Sequence, residues 1–266
     1  MSDLSRFRNP LKQRLGEGKL SVGFGLRQAR TTDTAVIAKA LGFHWLFVDT
    51  EHTSLTMEAV AQLAPAAISA GIPPIVRVPG HESFHCARAL DAGALGVIVP
   101  HVDTPEQARA VVDACRFPPF GSRSFGGGGP QIGFLPLSSA ETTSFLNQET
   151  LVIVMLETET GIENAEAIAA VEGVDGILIG SNDLTLTMGI PAQFTHKRLE
   201  VAYQTMIDAC RKHGKFPGMG GIYEHAIMEK YIRMGARLLL GGSDLSFIQK
   251  AGRERMAFLN GLLPEG

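Results

Sequence analysis

Short apolar runs recur along this chain, and each gives way to a polar turn and then a stretch with helical spacing. The runs occupy residues 21–26, 45–48, 74–78, 95–99, 151–156, 176–180, 216–220 and 237–240. Each has strand length and too few residues for a core helix. Between them the apolar spacing changes to that of amphipathic helices. Thr32 and Asp33 open one that Gly42 stops. Thr56 opens another, with Val60, Leu63, Ala67 and Ile68 on one face and Gly71 after it. Thr104-Pro105-Glu106 is a helix start, with Thr as N-cap and Pro at the first helical position. Further helices are expected over 83–92, 163–171, 196–213, 223–234 and 245–262, with a capping helix at 9–17 ahead of the first strand.

Eight strand–helix units in alternation predict a parallel sheet, and at this length a closed (β/α)8 barrel: an α/β, TIM-type single domain over residues 1–266. The alternative is a doubly wound sheet. That fold carries a glycine fingerprint after its first strand, and Gly23-Phe24-Gly25 is only half of one. One long insertion, at about 117–150, breaks the rhythm and contains the run Gly126 to Gly129. A connection of that length is usually functional or a lid; residues 138–148 within it read as helical.

Composition narrows the class. With 45% hydrophobic residues among 266, the chain can bury one large core. Its net charge is −3 and it has no basic run, which argues against nucleic acid or an anionic membrane as partner. The apolar runs fall far short of the ~20 residues that span a bilayer. The polar start lacks a secretory leader. Cys86, Cys115 and Cys210 are odd in number and not spaced as a metal or redox pair. They read as buried free thiols in a reducing, cytoplasmic protein.

Candidate chemistry collects where barrel active sites lie, at the C-terminal ends of the strands. In order these ends carry Asp49, Glu51 and His52; Arg77; His101; Glu157; Asn182 and Asp183; Met219 and Gly220; Ser243 and Asp244. Glu157 and Asp183 end neighbouring runs and supply two anionic oxygen ligands for a hard divalent cation. A chelating 2-oxo acid and water would complete such a site; the plain alternative is a pair of helix caps. Arg77 closes a wholly apolar strand, where a guanidinium needs an anion. That anion is a developing enolate oxygen, or Asp49 or Glu51 in a structural ion pair. His52 ionises near neutrality as a residue type and has Asp49 three residues earlier, which is equipment for moving a proton. His101 reads as pocket wall or as support behind the site. No lysine falls on a strand inside the pocket, so imine chemistry is not expected. Gly241-Gly242-Ser243-Asp244 could offer backbone N–H groups to an anion at a helix start.

Taken together, six motifs resemble the class II pyruvate-dependent aldolases, the family of 4-hydroxy-2-oxoheptanedioate and 2-dehydro-3-deoxyglucarate aldolases. They are Asp49-Thr50-Glu51-His52, Val76-Arg77-Val78-Pro79, the run from Phe117 to Ser124, Met155-Leu156-Glu157-Thr158, the run from Val171 to Gly176, and the run from Ile179 to Leu184. The resemblance covers nearly the whole chain. It implies a divalent cation, Mg2+ or Mn2+ with Co2+ or Zn2+ as alternatives, held by Glu157 and Asp183. It implies Arg77 on the pyruvate keto oxygen, and His52 with Asp49 as the acid–base dyad. Substrate contacts would come from Arg77, Ser181, Asn182 and Gly220. The implied reaction is reversible cleavage of a 4-hydroxy-2-oxo acid to pyruvate and an aldehyde. The implied assembly is a homohexamer, a trimer of dimers exchanging the C-terminal helix. Three positions depart from the family pattern: Met155 stands where many members have Gln, Asn182 replaces a small residue, and Gly220 replaces a bulkier aliphatic and so implies a more open acceptor site. The competing expectations are a condensing enzyme or CoA-ester lyase (citrate synthase- or citrate lyase-like) on the same scaffold, and a non-catalytic 2-oxo acid sensor.

Overall fold

Eight parallel strands close on themselves in chain order: β1 (Ser21–Leu26), β2 (Trp45–Asp49), β3 (Pro74–Arg77), β4 (Gly96–Val99), β5 (Leu151–Leu156), β6 (Gly176–Gly180), β7 (Phe216–Gly220) and β8 (Leu238–Ser243). The helices are α1 (Pro10–Gly16), α2 (Asp33–Ala40), α3 (Met57–Ser69), α4 (Ser83–Asp91), α5 (Pro105–Cys115), α6 (Ser139–Glu149), α7 (Glu159–Glu163), α8 (Ala165–Ala169), α9 (Ser181–Thr187), α10 (Lys197–His213), α11 (His225–Met234) and α12 (Asp244–Asn260). This computed structural model describes residues 4–262. The expected barrel is present as a single domain. No helix among the described residues is long and apolar enough to cross a membrane.

Side-chain alternation divides the interior in two. Trp45, Phe47, Ile75, Ile98, Leu151, Ile153, Met155, Leu178 and Leu238 fill the barrel, and Leu11 and Leu15 of α1 join the same cluster. The outward-facing residues, among them Val48, Val76, Val97, Val152, Val154 and Ile177, pack against the helices in the larger cluster. Trp45 fits because Gly23 lies beside it: a Cβ there would stand 2.4 Å from the indole.

The local signals set the helix starts. Thr56 and Thr104 cap α3 and α5 through their side chains, and Thr104 and Gln107 complete a capping box. Thr32 makes no side-chain cap, which differs from the sequence expectation. The segment expected as one helix over 163–171 is instead the pair α7 and α8, joined at Asn164, whose amide donates to the Asp103 carbonyl. β8 runs three residues further than expected because its end pairs with β1, Gly25 against Ser243.

The long insertion does not act as a lid on its own chain. It leads from α5 to β5, and helix-to-strand connections emerge at the strands' N-terminal end. There Phe117, Ile132, Phe145 and Leu146 form a small core of their own. Gln131 fastens it to the Leu90 and Ala94 carbonyls. Arg116, at its root, reaches Asp175 at 2.7 Å, and Lys12 meets the same carboxylate at 2.9 Å. Asp175 therefore ties α1, α5 and the start of β6 together at the end opposite the charged rim. The three thiols are free and buried. Cys115 nevertheless meets Cys86, and this hydrogen bond together with burial pushes its pKa well above the ordinary thiol value. Sequence spacing gave no sign of that contact.

Candidate active site

A cavity of about 240 Å3 opens at the C-terminal end of the barrel. Asp49, His52, Arg77, Met155, Glu157, Ser181, Asn182, Asp183 and Gly220 all line it. Residues far apart in sequence, from Asp49 to Gly220, thus converge because each stands near the end of its strand.

Register explains the pairings. Asp49 and Arg77 are cross-strand partners on β2 and β3. Arg77 donates from Nε to Asp49 Oδ1 at 3.1 Å and from Nη2 to Oδ2 at 2.8 Å, a bidentate fork. Its Nη1 lies 3.0 Å from Glu51 Oε2 as an ion pair, outside hydrogen-bonding geometry. The guanidinium also sits over the Phe47 ring, 5.2 Å from its centroid. Burial works to raise the Asp49 carboxyl, but the hydrogen bonds and charge of Arg77, with the backbone N–H groups of His52 and Glu51, hold it below the ordinary value. Both readings of Arg77 are thus geometrically present: it is a buried ion-pair partner and it faces the cavity.

His52 is arranged differently from a simple dyad. Asp49 accepts from its backbone N–H at 3.2 Å. The imidazole Nε2 lies instead 3.7 Å from Glu51 Oε2, at the exposed mouth of the cavity. Glu51 is the carboxylate next to the ring, while Asp49 shapes the turn and anchors Arg77.

On the other side, β5 pairs with β6 so that Leu156 faces Ile179. The next residue on each strand is Glu157 and Gly180. The Glu157 side chain fits only because Gly180 has none: a Cβ there would lie 2.3 Å from Glu157 Oε1. The carboxylate is buried, with 1% of the residue exposed. Oε2 accepts from the His101 backbone N–H at 3.0 Å and lies 3.3 Å from its Nδ1. Burial pushes the Glu157 pKa up to about 7; His101 counteracts this, and the negative charges of Asp183 and Glu51 add to the rise. His101 holds a left-handed backbone (φ 53), and its Nε2 stands 3.6 Å from Glu51 Oε1. It therefore bridges Glu51 and Glu157 from a half-exposed position and is not among the residues lining the cavity.

These facts test the expected cation. Glu157 and Asp183 are two anionic oxygen donors, and among the described residues neither pairs with a lysine or arginine. A carboxylate driven toward neutrality by burial, with two neighbouring acids adding to the rise, is stabilised by a positive ion. No third His, Cys, Asp or Glu joins them in a metal-holding cluster among the described residues. Two carboxylates with the remaining positions left to water and substrate is a usual Mg2+ arrangement. The donor set fits.

Two expectations change. The Ser181 hydroxyl bonds Tyr203 Oη at 2.7 Å, facing the helix layer, so its hydroxyl is not free for a substrate. The helix start after β8 offers no free anion site. The N–H groups of Ser243, Leu245 and Ser246 are taken by the side chains of Ser246, Asp244 and Ser243. The lining also includes three polar residues absent from the rim positions picked out in the sequence: Arg27, Tyr223 and Ser246. Arg27 directly follows β1 and Tyr223 lies three residues past β7, so rim position was the available signal. None of the lining residues is a lysine.

The fold is a (β/α)8 barrel with a charged cavity at the C-terminal ends of its strands, and comparison with known proteins assigns the family. The chain belongs to the HpcH/HpaI aldolase/citrate lyase family, which matches residues 27–251. It is 35% identical over 256 residues to the 4-hydroxy-4-methyl-2-oxoglutarate aldolase of Hapsidospora irregularis, covering 93% of both chains. It is likewise 35% identical over 263 residues to the 4-hydroxy-2-oxovalerate aldolase of Novosphingobium aromaticivorans, covering 96% of this chain and 98% of that one. The crystal structure of the HpcH/HpaI aldolase from Desulfitobacterium hafniense DCB-2 superposes with a TM-score of 0.90 at 30% identity, over 96% of this chain and 97% of that one.

Proposed function

We propose that this chain is a divalent-cation-dependent aldolase that reversibly cleaves a 4-hydroxy-2-oxo acid to pyruvate, or a related 2-oxo acid, and a carbonyl product. The observation that carries the reading is the buried Glu157 and the half-buried Asp183, neither paired with a lysine or arginine among the described residues and both lining one cavity with Arg77. Glu157 and Asp183 would hold Mg2+ or Mn2+, with Co2+ and Zn2+ as alternatives. Bound there, the cation would polarise the 2-oxo group and lower the cost of enolate formation.

The chain's own groups supply the rest. Arg77, fixed by Asp49 and Glu51, presents positive charge where the keto oxygen becomes an enolate. Asn182 lines the cavity as a carboxylate donor beside Gly221. His52, at the mouth with Glu51 beside its ring, takes the proton from the 4-hydroxyl through water as the C3–C4 bond breaks. Met155, Phe47 and Leu178 make the floor apolar and exclude water from the enolate. The direct test is exchange of pyruvate methyl protons in deuterated water. Exchange should require added divalent ion and stop with a chelator. Pyruvate binding with no exchange under any cation would favour the sensor reading instead.

Assembly follows from α12. Within this 17-residue helix only Asp244 is buried. Phe247, Ile248, Met256, Phe258 and Leu259 stand exposed, as does Leu262 beyond it. A patch of that kind on a helix leaving its own barrel fits exchange with a second copy. Deleting residues 249–266 should convert the oligomer, a hexamer by resemblance, to smaller species in light scattering. An unchanged mass would remove α12 from the interface.

A further inference from the structure

We propose that Arg27 and Tyr223 form an acceptor subsite for a short carbonyl compound that carries its own carboxylate. The proposal rests on the aldolase reading and specifies its second substrate.

The cavity contains two arginines. Arg77 is held between two carboxylates: Asp49 takes Nε and Nη2, and Glu51 faces Nη1 as an ion pair. Arg27 is not. Its side chain is 44% exposed and only approaches Asp49, Nε to Oδ2 at 4.0 Å. Its one side-chain hydrogen bond among the described residues runs from Nη2 to the His52 carbonyl at 3.4 Å. Most of a five-donor fork is therefore free at the mouth, and a guanidinium in that state matches a carboxylate.

The backbone that carries the fork is anchored from below. The backbone N–H groups of Arg27, Gln28 and Ala29 all donate to the Asp244 carboxylate, at 3.0, 2.9 and 2.6 Å. Asp244 is itself buried at the start of α12. The loop after β1 is thus anchored at its root, which reduces the entropy lost when Arg27 receives an anion.

Tyr223 approaches from the β7 side. Its residue is 43% exposed, and its hydroxyl makes no hydrogen bond among the described residues. Burial raises the phenol pKa, with Arg27 and Arg77 opposing and Asp49 adding to the rise, so the group is a neutral donor beside Arg27. Gly220 and Gly221, which line the same cavity, place no side chain in it.

The adjacency of Arg27 and His52 points to a short acceptor. Arg27 touches the backbone of His52, the residue assigned to the proton at the carbonyl oxygen. With Arg27 and His52 on one side of the same small cavity, the acceptor assigned is a short one, a 2-oxo acid or a semialdehyde acid. In the condensing direction the enolate C3 bonds to the acceptor carbonyl carbon. The carbonyl π electrons pass to its oxygen, which takes a proton on the His52 side. No oxidant or further reactant is needed, and Arg27 forms no covalent bond.

The test compares acceptors with pyruvate as donor and Mg2+ or Mn2+ present: glyoxylate and succinate semialdehyde against acetaldehyde and propionaldehyde. The wild type should prefer the carboxylated acceptors in kcat/KM. In Arg27→Met the ratio of carboxylated to uncharged acceptors should fall about 10–100-fold, mainly through the acceptor KM, as expected for losing a charge-assisted hydrogen-bond pair. Arg27→Lys should recover part of it. Tyr223→Phe should lower the ratio by a smaller factor, roughly threefold to tenfold. A ratio unchanged in Arg27→Met, or no preference in the wild type, overturns the subsite. Methyl-proton exchange by the wild type needs no acceptor and reads the parent assignment separately. Exchange without carboxylate preference removes this subsite alone; absence of exchange removes both.

Discussion

Glu157→Gln is expected to lower divalent-dependent exchange of pyruvate methyl protons by about 10³-fold or more, since a cation at a developing enolate contributes several kcal/mol. The variant keeps the shape of a side chain that Gly180 accommodates at such close range. It removes a buried negative charge that Asp183 and Glu51 already oppose. Without added metal, its Tm should therefore equal or exceed that of the wild type. With metal the order should reverse. A ligand at a hundredfold excess over Kd stabilises by about 2.7 kcal/mol, which for a chain of this size is a Tm rise of several degrees, at roughly 2–4 °C per kcal/mol. Only the wild type should show that rise. Calorimetric titration with Mn2+ gives a third, independent reading. A Glu157→Gln protein that binds Mn2+ as tightly and exchanges as fast as the wild type would end the assignment of Glu157 as a cation ligand.

The second large effect belongs to Arg77. Arg77→Met leaves Asp49 and Glu51 buried side by side without their shared cation. Removing one partner of a buried pair costs about 3–5 kcal/mol, so Tm should fall by roughly 6–20 °C at about 2–4 °C per kcal/mol. The exchange rate should also fall, by about 10²–10³-fold, the usual loss when one group that stabilises an oxyanion is removed. Arg77→Lys distinguishes the two roles. It keeps the charge and loses the fork, so stability should recover more than the rate does. A folded Arg77→Met protein with wild-type exchange would show that the guanidinium is structural only.

How far the site could be read from the sequence follows from how each residue is placed. A rim residue is visible when a sharp apolar run ends on it. That exposed Asp49, Arg77 and Glu157, and Asp183 two residues beyond Ser181. Arg27 escaped because it begins a polar loop, Arg27 to Thr32, in which no position stands out. Tyr223 escaped because β7, with Pro217, Gly218 and Gly220, is a weak strand pattern with an uncertain end. Length alone predicts a functional loop or a lid for the insertion at 117–150. Its place after a helix and before a strand already assigns it to the end away from the site, and the lid expectation overlooked that topology. The dyad of His52 and Asp49 was inferred from a spacing of three residues. In the folded loop that spacing turns the backbone of His52 toward Asp49 and the ring toward Glu51.

The sequence by itself determined the eight-unit barrel, the family, and which end of the strands carries the chemistry. Strand length, helix caps and apolar alternation are local properties, and a closed parallel sheet is the arrangement that buries all of them together. Only the tertiary structure decided which charges meet. The fork between Arg77 and Asp49 depends on the register of β2 against β3, and the space for Glu157 on a glycine in the neighbouring strand. The anchoring of Arg27 depends on Asp244, 217 residues away. Charge–charge energies act through space and depend on distance and burial, which chain order does not encode.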